Sequence, residues 1–124
     1  MTKLLHVDDD EDIREITKMA LEIFGEFEVK QCASGEEALR AVGKFIPDVL
    51  LLDVMMPGLT GPQTLEKIRM VPGLADVPVI FLTARAISND NKELWDLGAL
   101  EVINKPFDPM LLSQQIKTAL NRVS

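Results

Sequence analysis

Two apolar runs in this chain stop abruptly at aspartates: residues 4–7 run into Asp8, Asp9 and Asp10, and residues 49–52 run into Asp53. Two further apolar runs stop at Thr83 and just before Lys105. Brought together, three carboxylates repel by roughly 3 kcal/mol per pair at about 5 Å and an effective dielectric near 20. A divalent cation relieves that repulsion. Mg²⁺ suits the task because it takes one or two carboxylates, keeps several waters and binds phosphate oxygens; Mn²⁺ is an acceptable substitute. A lysine and a hydroxyl at the same edge add donors suited to a phosphoryl group. Phosphoryl transfer asks mainly for positioning and charge neutralisation, so this short set of side chains is chemically sufficient. An ionised carboxylate acting as nucleophile needs no general base. Taken singly, each residue has an ordinary reading, since acids open helices and a lysine before proline is common in loops. Only their convergence carries a signal.

Convergence demands elements that carry all of them to one edge. Residues 4–7 read as a short strand ending at Asp8. From 12 to 24, apolar residues fall at Ile13, Ile16, Ala20, Ile23 and Phe24, one face of a helix that Gly25 ends. Residues 27–33 alternate apolar and polar and read as a second, partly exposed strand. Ser34 and Glu37 form a capping box opening a helix to about residue 45, with Ala38, Leu39 and Val42 inward and Pro47 as its stop. Residues 48–53 form a continuous apolar run bounded by acids, as a strand buried on both faces does.

Pro57-Gly58 marks a turn, and Pro62 suits the first position of a third helix. Pro78 introduces a fourth strand over 79–83. A fourth helix is expected over about 89–97, stopped by Gly98, then a fifth strand over 100–104. The last helix runs over about 108–122, with Leu112, Ile116, Ala119, Leu120 and Val123 on one side. Five alternating units imply an α/β fold, a parallel sheet with helices on both faces. Ligands bind such folds at the carboxyl ends of the strands, where Asp8, Asp9, Asp53, Thr83 and Lys105 all fall.

The 124 residues suit one domain, 1–124. A net charge of −7 without any Lys/Arg run argues against nucleic acid as a direct partner. The single Cys32 excludes an internal disulfide and a CxxC metal site; it reads as a small packed residue in a reducing cytoplasm. The apolar start is too short for a signal peptide, and no run approaches the roughly 20 residues of a membrane span. A soluble, cytoplasmic protein without a membrane partner is expected. His6, the only histidine, reads as a strand-packing residue on the same face as Asp8. Trp95 reads as core packing in preference to a partner anchor, and the methionines as ordinary filling.

The motifs His6-Val7-Asp8-Asp9-Asp10 with Ile13-Arg14, Leu51-Leu52-Asp53-Val54-Met55-Met56-Pro57-Gly58 with Gly61, Leu82-Thr83-Ala84-Arg85, Gly98-Ala99 and Lys105-Pro106-Phe107 resemble the response-regulator receiver family. The resemblance covers essentially the whole chain. It implies a flavodoxin-like (βα)5 doubly wound sheet of order 2-1-3-4-5. It makes Asp53 the phosphoacceptor and Asp8 and Asp9 the acidic pair, with Asp9 the direct Mg²⁺ ligand and Asp8 acting mainly through water. The backbone carbonyl of Met55 would complete the protein ligands.

Thr83 would hydrogen-bond a phosphoryl oxygen, and Lys105, before a cis proline bond, would form its salt bridge. The implied donor is a histidine kinase or a histidine phosphotransfer protein, and a downstream effector or fused output domain reads the result. The domain would be a monomer or a weak phosphorylation-dependent dimer. It would assist its own phosphorylation and dephosphorylation without acting as an enzyme on other substrates.

Two positions modify that expectation. The family's switch aromatic, three residues before the lysine, is here Val102, and the chain has no tyrosine. Coupling is therefore expected to be muted or rerouted through Thr83 and the loop after it. Arg85, two residues past Thr83, stands where the family tunes access to the phosphoryl group, and is expected to shield it or steer a partner. Rival classes fit less well. A haloacid-dehalogenase-like phosphatase places two aspartates two apart after its first strand and usually carries a cap domain. A flavodoxin needs a hydroxyl- and glycine-rich phosphate loop where Asp8-Asp9-Asp10 stand. An inert receiver-like module would have lost Asp9, Asp53 or Lys105, and all three are present.

Overall fold

The strand runs form one sheet because each is apolar on the faces it must bury. In the computed structural model, which describes residues 1–84 and 92–122, the order along the chain is β1 (Thr2–Val7), α1 (Glu11–Phe24), β2 (Phe27–Cys32), α2 (Gly35–Ala41) and β3 (Val49–Asp53). It continues with α3 (Gly61–Ile68), β4 (Val79–Thr83), α4 (Lys92–Asp96), β5 (Glu101–Asn104) and α5 (Pro109–Asn121). All neighbouring strands are parallel, in the order β2-β1-β3-β4-β5, as the family resemblance implies. The reversal of direction between β1 and β3 puts the crevice of the sheet at the ends of those two strands.

The two-residue period of the strands divides the core in two. Leu5, Val7, Leu50, Leu52 and Phe81 face one way, with α2, α3 and Leu94 of α4 covering them. Leu4, Leu51, Ile80, Leu82 and Ile103 face the other, under Leu21 of α1 and Leu112 and Ile116 of α5. Every residue of β3 and β4 is buried, whereas β2 alternates as expected of an edge strand. The Lys105–Pro106 peptide is cis.

Helix boundaries follow their caps. The Asp10 carboxylate accepts from the N–H groups of Asp12 and Ile13 and so opens α1, and the Gly25 N–H closes it on Leu21 O. The Ser34 hydroxyl accepts from Glu37 N–H at 3.1 Å. Helix α2 ends at Ala41, earlier than expected, because the N–H groups of Lys44 and Phe45 both turn back to Ala41 O just past Gly43. The full reciprocal capping box lies at α3, between Thr60 and Gln63. Pro62 is the second residue of that helix, not the first, since Gly61 leads it. Residues 85–91 fall outside the described set, and with them Arg85 and the expected start of α4 at 89; so does Val123.

Two expectations about packing are corrected. Helix α1 buries Thr17, Ala20 and Leu21, while Ile16, Ile23 and Phe24 are exposed. The buried face thus combines two small side chains, Thr17 and Ala20, with the larger Leu21. Trp95 is 44 % exposed, and its neighbour Leu94 fills the core instead.

Candidate functional site

The acidic run after β1 divides into three roles within three residues. Asp8 is fully buried; its N–H donates to Cys32 O and its Oδ1 accepts from the Asp10 N–H at 2.9 Å. Asp9 faces solvent, and Asp10 caps α1. Asp53 ends the central strand β3 and is 5 % exposed. One carboxylate oxygen from each of Asp8, Asp9 and Asp53 lies within 4.8 Å of the others. Lys105 follows β5, which β4 separates from β3, so its side chain spans the end of β4 to reach the pocket. Its ammonium donates to Asp8 Oδ2 at 2.8 Å and to Asp53 Oδ1 at 3.0 Å. The Lys105 N–H donates to Thr83 O at 2.7 Å, which fixes the root of that side chain beside buried Thr83. Of the five residues expected at this edge, Asp8, Asp9, Asp53 and Lys105 come together, and Thr83 ends the adjoining strand.

The backbone at Asp53 is held from behind. A Cβ on Gly61 would stand 2.3 Å from the Asp53 carbonyl oxygen, so only glycine lets the first turn of α3 press against the end of β3. The Gly61 N–H donates to Val54 O at 2.9 Å and fixes that contact. The Met55 side chain is exposed, as befits a residue expected to contribute only its carbonyl. Val102 is half-buried against the core face that holds Leu52 and Phe81.

The electrostatics are those of an acidic pocket. Burial pushes the Asp53 carboxyl up to about 6; Lys105 opposes the rise, and the charges of Asp8 and Asp9 add to it. Burial pulls the Lys105 ammonium down, but its hydrogen bonds and charge pairing with Asp8 and Asp53 outweigh that, and its pKa is raised. Three carboxylates against one ammonium, with Asp9 open to water, make an all-oxygen donor set for a hard divalent cation such as Mg²⁺. Cys32 is buried and its thiol is pushed up to about 11, chiefly by burial, so it is an unreactive packing residue.

Beneath Asp8 lies a polar layer that residue types alone did not reveal. Arg14 Nη1 donates to Asp8 O at 2.7 Å. The Gln31 side-chain amide donates to Arg14 O at 2.7 Å and lies 3.0 Å from Nδ1 of His6. His6 is packed in the strand as expected, fully buried, and its pKa falls to about 3 through burial and the nearby charges of Lys105 and Arg14, so the ring is neutral. His6 and Gln31 are register partners on β1 and β2. That pairing was the available signal, and it needs the strand register to be visible.

The sheet order and the carboxylate–lysine pocket at its crevice define the class: a doubly wound α/β domain with an acidic site at its strand ends. The response regulator receiver domain family matches residues 4–117, and the chain belongs to that family. It is 42 % identical over 122 residues to the transcriptional regulatory protein CpxR homolog of Haemophilus influenzae, across 98 % of this chain and 52 % of that protein. It is 35 % identical over 119 residues to response regulator Rre1 of Synechocystis sp., across 96 % of this chain and 52 % of that protein. The solved structure of chemotaxis response regulator CheY4 of Vibrio cholerae superposes with a TM-score of 0.87 at 33 % identity, covering 96 % of this chain and 98 % of that one. The chain spans about half the length of the curated relatives it matches. Among the described residues no helix is long and apolar enough to cross a membrane.

Proposed function

We propose that Asp53 accepts a phosphoryl group from a phosphohistidine on a histidine kinase or histidine phosphotransfer protein. The observation that carries this reading is the single lysine shared by Asp8 and Asp53 at 2.8 and 3.0 Å, inside a cluster of three carboxylates. An Asp53 oxygen attacks phosphorus, the P–N bond to the partner's imidazole breaks, and an acyl phosphate forms. Asp9 would hold Mg²⁺, or Mn²⁺ in its place, with Asp8 acting mainly through water and Asp53 and the Met55 carbonyl completing the set. The cation would supply charge neutralisation for the carboxylates and the incoming phosphoryl oxygens.

Lys105 pairs with one phosphoryl oxygen and the Thr83 hydroxyl donates to another. The added charge of about −1.5 to −2 then draws the ends of β4 and β5 toward the site. With Val102 in place of an aromatic, that movement is carried by Thr83 and the segment after it, and Arg85 shields the acyl phosphate or steers a partner. Water attack on the acyl phosphate resets the domain. Residues 1–124 act as one receiver unit in the cytoplasm, as a monomer or weak phosphorylation-dependent dimer. An effector or fused output domain reads its state, with no direct contact to nucleic acid by the receiver itself.

Intact mass after incubation with acetyl phosphate, with and without Mg²⁺, tests this for wild type and Asp53→Ala. The expected result is a Mg²⁺-dependent gain of one phosphoryl group that the variant lacks. A folded wild type that binds Mg²⁺ and gains nothing overturns it in favour of an inert interaction module.

A further inference from the structure

His6 occupies a place that packing alone does not explain. The Gln31 amide nitrogen donates to Arg14 O, a group that can only accept, so its orientation is fixed and it must also donate to His6 Nδ1. The imidazole proton is thereby confined to Nε2. That N–H is buried and has no hydrogen-bond partner among the described residues. An acceptor stands 4.0 Å away: Oδ2 of Asp8, the oxygen that Lys105 engages at 2.8 Å. The other oxygen of Asp8 is taken by the Asp10 N–H.

We infer that His6 is a positioning residue for Asp8, a standby donor whose Nε2–H replaces Lys105 on Asp8 Oδ2 when the lysine is drawn to a phosphoryl group on Asp53. The inference rests on the reading of Asp53 as acceptor. Lys105 serves two carboxylates in the free protein, and a phosphoryl oxygen at Asp53 competes for the same ammonium. Asp8 is fully buried, and a buried carboxylate oxygen that loses a hydrogen bond is costly to leave unpaired. A closure of about 1 Å brings Nε2 and Oδ2 to hydrogen-bond distance. The exchange keeps Asp8 pointed at the metal side of the pocket instead of leaving it free to turn. It also ties the state of Asp53 to β2 through Gln31 and to α1 through Arg14, on the side of the sheet away from β4 and β5.

The chain has one histidine, so nitrogen-15 histidine labelling yields a single imidazole spectrum. It is recorded in Mg²⁺ alone and in Mg²⁺ with beryllium fluoride, a phosphoryl mimic whose binding is followed independently by the Asp53 backbone amide. The expected result is one Nε2–H tautomer in both states, with the Hε2 resonance moving downfield and exchanging more slowly once the mimic binds. An Nδ1–H tautomer, or an Hε2 resonance that stays put while the Asp53 amide reports full binding, overturns the inference and leaves the acceptor role intact. Failure of beryllium fluoride to perturb the Asp53 amide in a protein that binds Mg²⁺ overturns both. Gln31→Met, which keeps a side chain of similar length and removes the tautomer clamp, is expected to abolish the Hε2 shift. It should also weaken Mg²⁺-dependent binding of the mimic by roughly tenfold; retention of both overturns the proposed arrangement.

Discussion

Lys105 donates a 2.8 Å hydrogen bond to Asp8, which lies 97 residues earlier in the chain. The same ammonium reaches Asp53, so one side chain ties the last strand of the sheet to the first and the third. Sites joined in this way respond as a unit, because loosening one partner changes the charge seen by the other two.

Removal of that ammonium is expected to be costly in a way that metal repairs. Lys105→Met leaves two buried carboxylates without their shared hydrogen-bond donor and should destabilise the fold by about 1–3 kcal/mol in chelator. Saturating Mg²⁺ should recover part of the loss. Thermal unfolding with and without Mg²⁺ measures both, and an equal loss in the two conditions would contradict the shared-charge account.

The pH dependence has a definite sign. The Asp53 carboxyl rises to about 6 in the folded protein, above the ordinary aspartate value, so the folded state holds its proton more tightly than the unfolded chain. The stability this contributes is fully present below about pH 4 and is lost as pH rises through about 6. Asp53→Asn, which cannot ionise, should therefore be more stable than wild type near pH 8 by about 2–3 kcal/mol in chelator. The gap should close toward pH 4, as urea unfolding at the two pH values would reveal.

Asp9 is the exposed carboxylate of the three, whereas Lys105 bonds to Asp8 and Asp53, so the loss of Asp9 should separate metal binding from folding. In wild type, Mg²⁺ at ten times its Kd should add about 1.4 kcal/mol of stability. Asp9→Asn should lose most of that increment while unfolding in chelator at or slightly above the wild-type temperature. A variant that keeps the full increment would remove Asp9 from the ligand set.

Gly61→Ala places a methyl group 2.3 Å from the Asp53 carbonyl oxygen, and backbone cannot yield as a flexible side chain does. The expected cost is about 1–3 kcal/mol of stability, together with slower phosphorylation by acetyl phosphate. Chemical denaturation and intact-mass time courses read the two effects separately.

The strands were legible because burial on both faces leaves no choice of side: residues 49–52 and 79–82 can only be interior. Asp53 and Thr83 were legible for the same reason, since each ends such a run, whereas Lys105 follows the partly exposed β5 and was marked by its place before Pro106. Helix α1 was legible but its buried face was not, because Ile13, Ile16, Met19, Leu21, Ile23 and Phe24 place apolar groups on more than half its circumference. Periodicity then cannot choose the buried side, which is that of Thr17, Ala20 and Leu21. The neighbours Leu94 and Trp95 pose the same problem in a short helix, where one residue's rotation exchanges inside for outside. The layer of His6, Gln31 and Arg14 escaped notice because it depends on which residues of β1 and β2 stand opposite each other.

The contact between Gly61 and Asp53 gives the domain a direction. On one side the end of β3 rests against the first turn of α3 as against a wall, with no room for even a methyl group and with Gly61 tied to Val54. On the other side stands Thr83, whose carbonyl holds the backbone of Lys105 by a single hydrogen bond. A group added at Asp53 finds no room toward α3, so the adjustment proposed above falls to the ends of β4 and β5, drawn in toward the site. The site therefore has one closed flank, where α3 meets the end of β3, and every adjustment at Asp53 has to be found on the opposite flank.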